Sequence, residues 1–190
     1  MKNQTITPFG AGIAIIHKDS QKHLGMLVSG KKKNYALTQF ATLKKEPGII
    51  VDANEIKEWY ITGVTEQEEN TYFYGPYQEG RLLYDIIKDP KEENLPYLLL
   101  LAKALSLLHE RSQDLPEITA NSILFLSGQR VMFLPTGIIS KVTPQLPEEE
   151  RLLCKDLIHH PDLHGEEASS FSIGILSYLF LTGEYPIYET

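Results

Sequence analysis

The chain has 190 residues, 42% of them hydrophobic and 23% charged, with a formal net charge of −7. This composition suits a globular chain of one domain or of two lobes packed as one. Its acidic balance argues against nucleic acid and anionic membrane as partners, since neither gains from meeting a negative face. The single cysteine, Cys154, excludes an intrachain disulfide framework and a cysteine zinc cluster. No signal-peptide pattern opens the sequence and no apolar run reaches the ~20 residues that span a bilayer, so a cytoplasmic location is expected.

The first third reads as strands. Ile13 to His17, Leu24 to Ser29 and Tyr35 to Phe40 are short β-prone runs, separated by turns at Lys18 to Gln21 and at Gly30 to Asn34, as in an antiparallel meander. The basic run Lys31-Lys32-Lys33 falls in the second turn and reads as a solvated loop. Glu58 to Gly63 and Thr71 to Tyr74 form a further candidate hairpin around Glu66 to Asn70. Gly10-Ala11-Gly12 reads as a lead-in before the first strand, because a short Gly-x-Gly without the rest of a phosphate-loop fingerprint carries little information.

The character changes near Gly80. Arg81 to Lys88 suits a short helix stopped at Asp89-Pro90, and from Leu95 the apolar residues Leu98, Leu101, Ala102, Leu105 and Leu108 follow helical spacing. Leu99, Leu100, Ala104 and Leu107 widen that stripe, which predicts a helix buried on most sides. Ile123 to Leu126 and Arg130 to Leu134 flank Ser127-Gly128-Gln129 as a tight hairpin. From Thr136 to Ala168 the sequence reads mostly as loop, with one helix over Glu148 to Ile158, and Phe171 to Leu181 is a final helix closed by Gly183 and Pro186. Strands first and helices afterwards imply an α+β arrangement with segregated lobes.

Several of these segments resemble the protein-kinase catalytic domain. Thr71 to Ile87 is similar to the last small-lobe strand, the hinge and the first large-lobe helix. Ala102 to Glu117, with Leu108-His109-Glu110-Arg111, resembles the long large-lobe helix running into the catalytic loop. Counting forward sets Leu115-Pro116-Glu117 on His-Arg-Asp, Ser122 on the asparagine before the next strand, and Pro135-Thr136-Gly137 on Asp-Phe-Gly. His160-Pro161-Asp162 resembles Ala-Pro-Glu, and Phe171 to Leu176 with Leu181 to Ile187 resembles the core helix and its exit. The resemblance covers roughly residues 56 to 187. It implies a two-lobed protein-kinase-like fold: a reduced, β-rich N-lobe over residues 1–78, and a helical C-lobe over 79–190 that is truncated after the core helix.

Kinase chemistry needs a small-lobe lysine on the nucleotide phosphates, carboxylate and amide ligands for magnesium, and a loop aspartate on the substrate hydroxyl. Tyr35-Ala36-Leu37-Thr38 resembles the strand of that lysine and puts Thr38, a neutral hydroxyl, in its slot. Pro135 stands for the magnesium-binding aspartate and Ser122 for the second metal ligand, neither of them a carboxylate. Glu117 alone keeps an acid, at the catalytic-base position. Ser169 falls where the core helix starts with an aspartate that holds the catalytic loop, and Phe40 to Glu55 looks too short for the usual small-lobe helix. The resemblance with these replacements implies an inactive, pseudokinase-like scaffold with no cofactor. The alternative is an atypical phosphotransferase or nucleotidyltransferase built on Glu117.

Other features carry a bland reading beside the sharp one. The run His159 to Glu167 is rich in metal-type ligands, yet Pro161 breaks any helix there and a polar surface loop accounts for it. Cys154 among Leu152, Leu153 and Leu157 reads as a core thiol. Tyr72, Tyr74 and Tyr77 either fill the space adenine takes in a working kinase or serve ordinary strand packing. Ile173, Leu176, Leu179 and Phe180 are expected partly in the core and partly at an interaction surface for a protein partner, a downstream domain or a second copy.

Overall fold

Ten strands and six helices are arranged around two antiparallel sheets in the computed structural model, which describes residues 3–30 and 33–186. The first sheet has the order β1-β2-β3-β7-β6, formed by β1 (Gln4–Gly10), β2 (Ile13–Lys18), β3 (Gln21–Ser29), β6 (Gly63–Gln67) and β7 (Asn70–Pro76). The second has the order β5-β4-β10-β9-β8, formed by β4 (Gly48–Asp52), β5 (Glu55–Trp59), β8 (Gly80–Leu82), β9 (Ile123–Leu126) and β10 (Arg130–Phe133).

The chain begins its first sheet one strand earlier than the sequence reading has it. Gln4–Gly10 pairs with β2, Ile6 opposite Ile16 and Pro8 opposite Ala14, so Gly10-Ala11-Gly12 joins the first two strands and is not a lead-in. Pro8 hides this strand from a sequence scan, but proline is tolerated where no neighbour needs its missing N–H, and β1 is an edge. The sheet curls until its edges meet: Thr65 Oγ1 donates to Gln4 Oε1 at 2.5 Å, and Gln4 Nε2 donates to the Glu66 carbonyl at 3.4 Å.

Tyr35 to Phe40 is helix, not strand. It belongs to α1 (Lys33–Leu43), whose Ala36, Phe40 and Leu43 recur at helical spacing and face the sheet, with the Phe40 ring 5.7 Å from that of Phe73. β-Prone Tyr35, Thr38 and Phe40 mask that period. The small-lobe helix judged too long for Phe40 to Glu55 is therefore present just upstream. Of the turn expected over Gly30 to Asn34, Lys31 and Lys32 lie outside the described residues, and Lys33 and Asn34 open α1.

The run Gly48–Asp52 turns at Ala53-Asn54 into Glu55–Trp59. This hairpin crosses to the second sheet and pairs with β10, Ile50 opposite Met132. Glu58 therefore belongs to β5, and the partner of β7 is Gly63–Gln67, turning at Glu68 and Glu69. The second sheet thus takes two strands from the first third of the chain.

The second half keeps the order of the expected helices and hairpin, but Arg81 and Leu82 are strand and not helix, Leu99 is exposed and not part of the buried stripe, and the last helix starts at Gly165 and not at Phe171. After β8 come α2 (Leu83–Lys88) and α3 (Leu95–Glu110), the latter burying Leu98, Leu101, Ala104, Leu105 and Leu108. The β9–β10 hairpin turns through Gly128 and Gln129 at positive φ. Within the segment read as loop, α4 (Thr136–Val142) buries Ile138, Ile139 and Val142. Next, α5 (Glu148–Arg151) runs into a π-helical turn over Leu152–Asp156. The last helix, α6 (Gly165–Thr182), packs on α3 and ends at Gly183, whose φ of 78° supplies the left-handed C-cap.

One apolar core links both sheets to the helices. Leu176, Leu179 and Phe180 are wholly buried in it and Ile173 is half-buried, so the first three offer no accessible surface. The face of α6 that meets solvent carries Tyr178 and Leu181 instead. Among the described residues, no helix is long and apolar enough to cross a membrane.

Candidate functional site

The segment 115–122 leaves α3 and enters β9 with its backbone pinned from several sides. Tyr84 N–H donates to the Ala120 carbonyl at 2.9 Å, Ala120 N–H to that of Cys154 at 2.9 Å, and Leu134 N–H to that of Ser122 at 2.8 Å. Cys154 is buried under the loop; burial, with the Glu150 charge second, pushes its thiol up to about 12. It is a packing residue there, as the sequence reading has it.

From this loop Asn121, fully buried, reaches toward the first sheet. Its Nδ2 donates to the Ala11 carbonyl at 3.3 Å and to Thr143 Oγ1 at 3.2 Å. Gly12, at a φ of 82°, packs directly on Val142 and Leu146: an added Cβ would run into Val142 Cγ1 and come within 3.3 Å of Leu146 Cδ2. The turn between β1 and β2 is thereby seated on α4 and on the loop, with Ala11 only 2% exposed. In protein kinases a glycine-rich turn covers the nucleotide phosphates.

The buried side chains on the inward face of β3 are the apolar Leu24, Met26 and Val28. Thr38 sits on an exposed face of α1 and not on a strand, so the lysine slot assigned to it does not exist at that position. Ser122 Oγ is occupied locally, donating to the Thr119 carbonyl at 3.0 Å while Thr119 Oγ1 donates to it at 2.7 Å. Pro135 is buried at the entry to α4, two residues before Gly137, whose N–H donates to Glu46 Oε1 at 2.6 Å.

Glu117 sits beside Lys155 and His159: its Oε1 is 3.1 Å from Lys155 Nζ and 3.5 Å from His159 Nδ1. It borders a cavity of about 280 Å³ that Ser122, Ser140, Arg151 and Asp156 also line. On its other side a cavity of about 270 Å³ separates Pro116 and Glu117 from Ser169 near the start of α6. Ser169 Oγ donates to the Gly165 carbonyl of its own helix at 3.2 Å, so it does not reach across to the loop.

The other candidates disperse. Tyr74 packs within the first sheet over Gly63 and 4.7 Å from the His23 ring, on the face opposite Phe73, and Tyr77 lies under Lys22. His160 stacks edge-on against Phe171 at 5.2 Å and His109 faces Glu166 at 3.7 Å. Among the described residues, no three His, Cys, Asp or Glu side chains converge as metal ligands. Two residues escape the sequence reading, Asn121 and Trp59. Trp59, the chain's one tryptophan, donates its indole N–H to the Pro76 carbonyl at 2.9 Å in the hinge-like segment.

No family model matches the chain. In sequence it is similar to the serine/threonine-protein kinase PAK 5 of Rattus norvegicus and to that of Mus musculus, 25% identical over 185 residues in each case. Each alignment covers 90% of this chain but 25% of the relative, so the chain spans about a quarter of the length of the curated relatives it matches. Among solved structures it is similar to the crystal structure of Rad53 1-466 in complex with AMP-PNP, with a TM-score of 0.53 and 16% identity, covering 99% of this chain and 50% of that one. The fold is α+β and protein-kinase-like.

Proposed function

We propose that this chain is a kinase-shaped module that transfers no phosphoryl group and serves in the cytoplasm as a binding or regulatory scaffold for a protein partner. The observation that carries this reading is the seat of the β1–β2 turn, with the Ala11 carbonyl bonded to Asn121 and Gly12 packed on Val142. A turn fastened to the second half in this way, with Ala11 buried, supports a phosphate site that is closed and not one that is open to nucleotide. Apolar Leu24, Met26 and Val28 along β3, with Ser122 and Pro135 where the sequence resemblance sets the metal ligands, support this reading, since charge neutralisation is most of what a kinase site supplies. Isothermal titration with magnesium and ATP tests the reading. The expected result is no binding heat, and micromolar, metal-dependent binding would overturn it.

One observation favours a second reading. Glu117 keeps a carboxylate at the rim of a 280 Å³ cavity beside Lys155, an arrangement an atypical phosphotransferase or nucleotidyltransferase could use. That reading requires transfer of label from ATP that Glu117→Gln abolishes; wild-type protein that transfers none across metals and acceptors removes its basis.

A further inference from the structure

Trp59 ends β5 in the second sheet, yet its side chain is spent on the first. The ring is 3% exposed, and its N–H donates to the carbonyl of Pro76, the last residue of β7. One edge lies on Gly75, where an added Cβ would come within 2.5 Å of Trp59 Cζ2 and 2.6 Å of the Tyr60 carbonyl oxygen. The other lies near Gly48, where a Cβ would be 3.3 Å from Trp59 Cε3 and 3.2 Å from Pro135 Cδ. The indole therefore fills a flat slot between two glycine backbones, one from each sheet.

The slot lies where the chain passes between the sheets. Residues 60–62 carry it from β5 to β6 and residues 77–79 from β7 back to β8. These short links are the natural pivots for any swing of one sheet against the other. Such a swing would pull a buried tryptophan off its packing surface and strand its N–H away from an acceptor, and each loss is costly in the interior.

We infer that Trp59 is a latch that holds the two sheets in one fixed relation, so that the chain works as a single rigid body and not as two lobes that open and close. The inference concerns the coupling of the sheets and holds whether or not the chain takes nucleotide. It is tested by amide hydrogen exchange on the full chain, comparing wild type with Trp59→Phe and Trp59→Gly. Trp59→Phe keeps an aromatic ring but has no N–H; exchange at Gly75 and at 77–80 should rise by about tenfold, the factor lost with one buried hydrogen bond, while β9 and β10 keep their protection. Trp59→Gly should extend that rise to residues 48–52, and free indole added as a probe should restore protection by refilling the slot. Wild-type protection at 77–80 in Trp59→Phe would overturn the inference. So would a rise spread evenly over the whole chain, which would show a general loss of stability. The Phe variant decides the matter alone if the Gly variant does not fold.

Discussion

The Asn121 side-chain amide donates to the carbonyl of Ala11, 110 residues earlier, and so fastens the turn between the first two strands to the loop before β9. Both residues are buried, and the same Nδ2 also serves Thr143. Removing it leaves an interior carbonyl without a donor. Asn121→Ala should therefore cost about 1–3 kcal/mol in urea unfolding. Asn121→Asp should cost more at neutral pH, since it deletes the donor and buries a charge; the excess should shrink toward about pH 4, where a carboxyl begins to protonate. Equal losses for the two variants at every pH would contradict this role.

Glu46 acts across the fold on α4. That helix starts after Pro135 with no capping side chain of its own, and the Glu46 carboxylate accepts the Gly137 N–H at its first turn. A carboxylate there satisfies an otherwise unpaired donor and faces the positive end of the helix. Glu46→Ala should destabilise by about 1 kcal/mol in chemical denaturation, with Glu46→Gln in between because it keeps an acceptor and loses the charge. Because α4 seats Gly12, the Ala variant should also speed exchange of the amides in the β1–β2 turn.

What could be read from the sequence was local. The helix from Leu95, the Ser127-Gly128-Gln129 hairpin and the helix ending at Gly183 each carry period, turn residue and stop within one window. Thr38 failed because its slot depended on the order of the strands, and that order depended on recognising an edge strand with Pro8 in it. The β4–β5 hairpin had a signal in Ile49-Ile50-Val51 before Asp52-Ala53-Asn54, but nothing local says that it joins β10. Asn121 and Trp59 act on partners 110 and 17 residues away, across two sheets, so their roles exist only once the chain is folded.

Two glycines should respond in opposite directions to the same methyl. Gly75→Ala drives a Cβ into the Trp59 ring and the Tyr60 carbonyl in a packed interior and should destabilise by about 1–3 kcal/mol. Gly174 lies mid-helix in α6, exposed, with no atom within 4 Å of an added Cβ. Gly174→Ala should stabilise by about 0.5–1 kcal/mol, through helix propensity and a less entropic unfolded chain. Paired urea midpoints check both, and a loss at Gly174 would mean its open face is needed for something the fold does not show.

Alkaline pH should expose the buried ionisable groups. Burial raises Cys154 from 9.0, and Tyr84 and Tyr185 from 10.0, to about 12 in each case. Each then holds its proton in the folded state at a pH where the unfolded chain has released it, so unfolding releases protons and stability falls as pH rises. Their contribution is complete below about pH 9 and is lost progressively between about 9 and 12. Urea midpoints should be level from about pH 7 to 8.5 and drop steeply beyond, with the native thiol unreactive to alkylation until the chain unfolds. Tyr185→Phe should flatten the upper part of that curve. Its hydroxyl is buried with no hydrogen-bond partner among the described residues, so the variant should be no less stable at neutral pH. A midpoint that holds to about pH 11 in wild type would show that these groups ionise freely in the fold and are not buried as described.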